Sequence, residues 1–272
     1  MSKVPRRWST AGSPLRMYSD LAKIYDAQYS WKDYASEVRR LEKIARRFGR
    51  SGRSTWLDVA CGTGRHLELL RRHFECEGVD ASPEMLRVAR RRLSGIPLSR
   101  ADMRSFRLGR EFGVVSCLFS AIGHLSSERD LVRTFERIAE HLAPGGVAIV
   151  EPWVSPDDFH PGLVHLRTYQ DPSITVVRMA YSGRRRNRSI IRYSYLIGAQ
   201  GKGIRFVEDT DTGLMVQPAR LRHLMESAGL QCRFLRHGFM ARRGLLIGVK
   251  PTTRPPRRSP GPRTTARAGK LP

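Results

Sequence analysis

No run in this sequence approaches 18 consecutive apolar residues, so no segment reads as a membrane-spanning helix. The first residues bring Lys3, Arg6 and Arg7 without an apolar stretch behind them, so no secretory signal is expected. Cysteine is scarce. Cys61, Cys76, Cys117 and Cys232 form no CxxC pair, and three of them fall in predicted strands or strand ends. That usage argues against a disulfide framework and against a zinc site, predicts no metal, and suits free thiols in a reducing, cytoplasmic compartment. Acidic residues are missing from both ends. Residues 1–16 and 250–272 hold eleven Lys or Arg and no Asp or Glu, which leaves +13 of the +24 net charge for residues 17–249. The ends read as a disordered basic arm (1–16) and a disordered basic tail (250–272), because such compositions cannot pack a core. The excess left on 17–249 favours an anionic substrate or partner.

What is present between those ends is a regular alternation. Residues 33–48 place Val38, Leu41, Ile44, Ala45 and Phe48 on one helical face. Short apolar strands are predicted at Trp56–Ala60, Cys76–Asp80, Ile96–Ser99, Gly113–Phe119 and Val147–Glu151. Between them lie helices over Arg65–His73, from Ser82-Pro83 to about Leu93, and over Ser127–Leu142, the last expected to stop at Pro144-Gly145-Gly146. Strands and helices in this order predict a parallel sheet covered on both faces. After Pro152 the pattern changes. Residues 162–207 hold two β-rich runs around the basic turn at 184–188 and read as an antiparallel insertion. A helix over Gln217–Ala228 and an antiparallel pair, Cys232–Arg236 with Leu245–Val249, complete the domain of residues 17–249.

The chemistry gathers at the carboxyl ends of the first three strands. Asp58-Val-Ala-Cys-Gly62-Thr-Gly64 joins the first strand to its helix, and its glycines let the backbone turn sharply beside a ligand. A dinucleotide fingerprint would need glycine where Leu67 stands, and Asp58 is ill suited to a pyrophosphate; a cationic amino-acid ligand suits it better. Asp80 ends the second strand, where an acid accepts from ribose hydroxyls. Asp102 follows the third strand and can accept from an adenine amino group while Met103 packs on the ring. Each of these acids could alone cap a helix, but three on neighbouring strand ends describe a nucleoside site.

The segments LDVACGTGRH, EGVDASPEML, RADMRSF and HLAPGGVAIVEPW span residues 57–153 and resemble the class I S-adenosylmethionine-dependent methyltransferases. That resemblance implies an α/β fold with a doubly wound, seven-stranded Rossmann-like sheet, here carrying an antiparallel β insertion. It implies S-adenosyl-L-methionine as cofactor. Asp58, Ala60, Gly62 and Gly64 would line its methionine part, Asp80, Ala81 and Met85 its ribose and adenine, and Asp102 and Met103 the adenine; Ser120 and Tyr29 complete the donor contacts. The flanks MYSDLAKIYDAQY, ADMRSFRLGREFGVVSCLFSAIGHL, VEPWVSPDDF and RRGLLIGV are similar to the antibiotic-aminosugar N,N-dimethyltransferases, over nearly all of residues 17–249. The basic ends and the Arg-rich turn at 184–188 depart from that pattern.

The implied acceptor is then the amine of a nucleotide-linked aminosugar. His124, just after the fourth strand, serves as general base or orients the amine, or else caps the loop. Tyr25 and Tyr29 either close over donor and acceptor, with Tyr25 grouped with the catalytic residues, or pack the helix. Glu151 and Trp153 would line the acceptor cavity, with the insertion contributing to it. Arg243 is either a diphosphate contact or a surface charge. Another small amine or hydroxyl is the first alternative acceptor. RNA is the second, favoured by the charge but opposed by two absences: no NPPY-like loop follows the fourth strand, where FSAIGHL stands, and no PC dipeptide occurs. The reading expects no membrane partner and allows a homodimer.

Overall fold

Trp56 and Leu57 are both fully buried although they face opposite sides of one strand. A strand apolar on both faces needs helices above and below it, which is the arrangement found. The computed structural model describes Tyr18 and residues 22–252; the basic arm and residues 253–272 of the basic tail lie outside the described residues. The N-terminal helices are α1 (Tyr25–Gln28) and α2 (Tyr34–Phe48). Then β1 (Thr55–Val59), α3 (Arg65–Leu70), β2 (Glu75–Asp80), α4 (Pro83–Arg92), β3 (Leu98–Arg100), β4 (Phe112–Cys117), α5 (Glu128–Glu140) and β5 (Leu142–Val150) alternate. Strands β6 (Val164–Gln170), β7 (Ile174–Arg185), β8 (Arg188–Ala199) and β9 (Gly203–Leu214) follow, then α6 (Pro218–Ser227), β10 (Gln231–Leu235) and β11 (Leu245–Val249).

The main sheet runs β10-β11-β5-β4-β1-β2-β3. The strands β5, β4, β1, β2 and β3 pair in parallel, while β11 is antiparallel to both neighbours. One face buries Leu57, Val59 and Val115 with Phe135, Ile138, Leu221 and Met225 from α5 and α6. The other buries Trp56 and Ile149 with Leu41, Ile44, Leu67 and Leu86 from α2, α3 and α4. Each of these fully buried large side chains contributes about 1.5–3 kcal/mol relative to exposure. Caps fix the helix starts: Asp33 accepts from Ser36 N, Ser82 from Met85 N and Ser127 from Asp130 N.

Several boundaries differ from the sequence reading. The helix before Pro144 ends at Glu140, and Pro144-Gly145-Gly146 lies inside β5 rather than terminating a helix. The pairing jumps from Phe112↔Leu142 to Val114↔Val147, so the Pro-Gly-Gly residues form a bulge in β5. The third strand is short and begins at Leu98, with Ile96 packed into the core before it. The second sheet extends past residue 207, because β9 pairs along its whole length with β8. Lys250 belongs to the fold, not to the tail: its Nζ donates to Leu142 O at 2.5 Å and its N to Gly146 O at 2.9 Å.

The second sheet, in the order β6-β7-β8-β9, is wholly antiparallel. Its inward face carries Val176, Arg178, Tyr195, Ile197, Val207 and Asp211, all buried. It covers the carboxyl ends of the parallel strands, with the N-terminal segment between: Ala22, Ile24 and Tyr25 share a cluster with Met85, Val176 and Tyr195. No helix among the described residues is long and apolar enough to cross a membrane.

Candidate active site

The backbone turns over at the ends of β1 and β4. Ala60, Gly62 and Gly64 have φ of 57°, 56° and 78°, and Phe119 and Ser120 have 51° and 61°. Left-handed backbone at non-glycine residues costs energy and clusters at functional tips. Asp80 holds the first turn: its carboxylate accepts from Gly62 N and from Ser82 N, both at 2.8 Å. Burial pushes the Asp80 carboxyl up, and the two amide hydrogen bonds oppose that rise. A Cβ built on Gly62 meets nothing within 4 Å. The loop therefore faces open space beside an acid, a cradle that a side chain would fill and that a cationic nucleoside fits.

The two loop glycines do different things. A Cβ on Gly64 would lie 2.4 Å from Leu93 Cδ1 and 3.4 Å from Ala89 Cβ, so the missing side chain lets α3 pack on α4. Asp58 is 2% exposed and lies beneath the loop, where it accepts from Ser116 Oγ at 2.6 Å. Burial lifts its carboxyl to about 6, against the opposing influence of His66 and Ser116. Asp58 is thus the floor of the turn. At the far edge, Asp102 is gripped by Arg104, which donates from Nε at 2.9 Å and from a terminal nitrogen at 2.6 Å. Met103 is half-buried on the core beside it, and Ala81 is exposed at the end of β2. Met85 is fully buried under the N-terminal segment. That segment is pinned to the loop by Asp26, which accepts from Thr63 Oγ1 at 2.6 Å and pairs with Arg92 at 2.5 Å.

On the acceptor side, His124 ends the 3₁₀ turn Ala121–His124. Its Nε2 lies 3.0 Å from the Tyr18 hydroxyl, and its Nδ1 lies 3.3 Å from Asp211 Oδ1 on β9. The second contact is off-axis, since Asp211 Oδ1 accepts no well-aligned hydrogen bond among the described residues. Burial alone would lower the imidazole pKa, but the Asp211 carboxylate outweighs it and raises the group above its ordinary value, with Arg243 opposing.

The structure sorts the aromatic candidates. Tyr25 is buried, with its ring 5.8 Å from Tyr18 and 4.7 Å from Tyr29. It therefore packs the segment, the second of the two roles open to it, and the phenol that reaches His124 is that of Tyr18. Tyr29 stands edge-on to Phe119 at 4.8 Å, at the turn after β4. Ser120 is fully buried; its hydroxyl donates to Pro152 O at 2.7 Å and accepts from an Arg243 terminal nitrogen at 2.7 Å. It thus anchors Arg243. The Arg243 guanidinium also stacks 4.4 Å over Trp153. Trp153 donates from Nε1 to Ser189 Oγ at 2.8 Å, tying the end of β5 to the second sheet. Its ring needs the missing side chain of Gly213, where a Cβ would stand 2.3 Å from Nε1. Glu151 is fully buried: it accepts from Phe119 N at 2.8 Å and Met240 N at 3.2 Å, clamping the β4 turn to the C-terminal loop.

Sequence reasoning missed Tyr18, Arg178, Tyr193 and Asp211. Arg178 on β7 lies 5.7 Å from the Tyr29 ring centre and 5.2 Å from that of Tyr193. It also missed a buried cluster in which Glu37 pairs with both Lys32 and His66. Polar residues at inward-facing strand positions were the available signal.

Comparison with known proteins gives the family. Residues 57–146 match the family described as "Methyltransferase domain". The dTDP-3-amino-3,6-dideoxy-alpha-D-glucopyranose N,N-dimethyltransferase of Streptomyces fradiae is 37% identical over 244 residues, 89% of this chain and 95% of that protein. The crystal structure of DesVI from Streptomyces venezuelae is 37% identical with a TM-score of 0.80, covering 85% of this chain and 98% of that one. An amino pentose methyltransferase from Micromonospora echinaspora, solved with S-adenosylmethionine bound, is 32% identical with a TM-score of 0.76, covering 84% and 96%. At these identities and coverages the chain belongs to the S-adenosylmethionine-dependent methyltransferase family that includes the dTDP-aminosugar N,N-dimethyltransferases.

Proposed function

We propose that this enzyme methylates the amine of a nucleotide-linked aminosugar, twice in succession. The observation that carries the reading is a half-buried imidazole, His124, held between a tyrosine hydroxyl and a carboxylate across from the glycine turn. Bound at that turn, S-adenosylmethionine supplies an activated methyl group on a sulfonium, so the protein's task is positioning and proton removal. Asp80 and the 60–64 backbone would hold the donor, with Asp102 and Met103 at its adenine edge. The covering sheet, Tyr18 and residues 22–29 would exclude water. His124 accepts the amine proton, because only a neutral amine has the lone pair to attack. A monomethylated amine is still basic and enters the same arrangement. The test is incubation of dTDP-linked 3-amino and 4-amino sugars with the donor, read by mass spectrometry. Gains of one and then two methyl groups are expected; methylation of RNA or of free amino acids with no reaction on the sugar nucleotides would refute the reading.

Arg243 is the diphosphate contact in this proposal. One terminal nitrogen is held by Ser120 and the plane is fixed on Trp153, leaving the rest of the guanidinium fork for phosphate oxygens. Arg243→Ala is expected to raise KM for the sugar nucleotide about 10–100-fold, the value of one or two charge-assisted hydrogen bonds. Donor affinity should stay within a factor of about three. Steady-state kinetics beside calorimetry checks both.

The proposal extends to a cytoplasmic homodimer. The four cysteines are free thiols. The outer face of the second sheet exposes Val164, Leu166, Met179, Tyr181, Leu196, Ile204 and Phe206, with Leu166 opposite Met179 and Leu196 opposite Phe206. A contiguous apolar face of this kind marks an interface. Leu166→Glu with Phe206→Glu is expected to convert a dimer to a monomer in sedimentation velocity; a wild-type monomer at micromolar concentration would remove the dimer.

A further inference from the structure

We infer that Asp211 is the positioning residue of this site: it holds His124 with Nδ1–H turned toward β9 and stabilises the imidazolium that forms as the acceptor loses its proton. The inference rests on the proposed amine acceptor. Asp211 lies on the inward face of β9, between the buried positions Val207 and Gly213 on the same face, and is 7% exposed. Its Oδ1 accepts no aligned hydrogen bond among the described residues and lies 3.3 Å from His124 Nδ1. A buried carboxylate oxygen left unsatisfied is costly, and that cost falls when a cation forms beside it. His124 is the neighbour that can become one. With Nδ1 carrying the hydrogen toward Asp211, the Nε2 lone pair faces the Tyr18 hydroxyl at 3.0 Å.

The proton step then balances. The acceptor arrives as R–NH3+. One N–H bond breaks, its proton passes to the Tyr18 oxygen, and the Tyr18 proton passes to His124 Nε2. The products are R–NH2 and a doubly protonated imidazole opposite the Asp211 carboxylate. No oxidant or other co-reactant is needed, and the imidazolium returns its proton to solvent before the second round. The other titratable groups around the pair are Tyr18 and Tyr29 from the N-terminal segment, Tyr193 from β8 and Arg243 from the C-terminal loop. Arg243 opposes protonation of His124, so the carboxylate is what favours it.

The test begins with wild-type turnover of the aminosugar nucleotide; its absence would defeat the proposed acceptor rather than the role of Asp211. With turnover in hand, Asp211→Asn is expected to lower kcat about hundredfold, while the donor Kd from calorimetry changes less than about threefold. The acid limb of the kcat–pH profile should move down by about one pH unit, because the charge that raises the imidazole is gone. Asp211→Glu should restore part of both. Unchanged kcat with an unmoved limb, or a fall in kcat with neither a moved limb nor rescue by Glu, would overturn the role. If Asp211→Asn does not fold, NMR titration of His124 in the wild-type protein decides. A Nδ1–H tautomer with a pKa above that of free imidazole side chains supports the inference; a Nε2–H tautomer or a lowered pKa overturns it.

Discussion

Gly62→Val and Asp80→Ala each abolish donor binding, lowering affinity for S-adenosylmethionine by more than about hundredfold in calorimetry. The two substitutions reach that result differently. At Gly62 a side chain would project into the open space beside the turn, which the donor needs. Valine adds strain, because φ is 56° and a β-branched residue is costly in that region. Gly62→Ala separates the two effects. Ala60 already sits at φ 57° in the same turn, so alanine at 62 should cost only about 1–2 kcal/mol of stability, visible as a modest fall in Tm. Its methyl group still occupies the cradle and should still weaken binding. At Asp80 the loss is electrostatic and organisational. In the proposed donor pose the carboxylate accepts from ribose hydroxyls, and it anchors the Gly62 and Ser82 amides. Hydrogen bonds to a charged group are worth about 1.5–3 kcal/mol each, so losing two reaches the stated magnitude. Near-normal donor affinity in both variants would mean that the donor lies elsewhere, and the assignment of this turn would fail.

The donor half of the site was legible in the sequence because it is local. Asp58, Gly62 and Gly64 lie within seven residues, and strand, turn and helix are each announced by their own composition. Even so, sequence spacing could not distinguish the glycine that borders ligand space from the one that admits Leu93. It also could not show that Asp58 turns down to Ser116. The acceptor half is assembled from distant parts. Tyr18 meets His124 across 106 residues of sequence, and both Tyr18 and Tyr25 belong to the same aromatic segment. Only the fold decides which of the two reaches the imidazole. Asp211 escaped because EDTDTGL lacks the apolar alternation that signals a strand. Its inward positions hold acids and a glycine, since that face covers a site rather than a core. Pro144-Gly145-Gly146 misled in the opposite direction. These residues commonly end helices, but here they bulge a strand whose hydrogen bonds run to its neighbours.

His124→Ala should lower kcat by about 10²–10³-fold while leaving donor affinity within a factor of about three. The imidazole touches Tyr18 and faces Asp211, and no residue of the donor turn depends on it. His124→Asn is the sharper comparison. It keeps a polar side chain of similar reach and can hold the Tyr18 hydroxyl in place by a hydrogen bond, but it cannot take up the proton. If proton removal is the main contribution, Asn and Ala should be nearly equal in kcat. If orientation is the main contribution, Asn should recover most of the loss. The pH dependence separates them again. The folded environment raises the imidazole above its ordinary value through Asp211, and only the neutral form accepts a proton. Wild-type kcat should therefore rise with pH through a limb lying above about 6.5, the unperturbed histidine value. In both variants that limb should vanish, leaving a rate that follows deprotonation of the amine in free solution. A variant that keeps the limb and most of the turnover would remove His124 from the proton's path and leave approach and alignment as the whole of the catalysis.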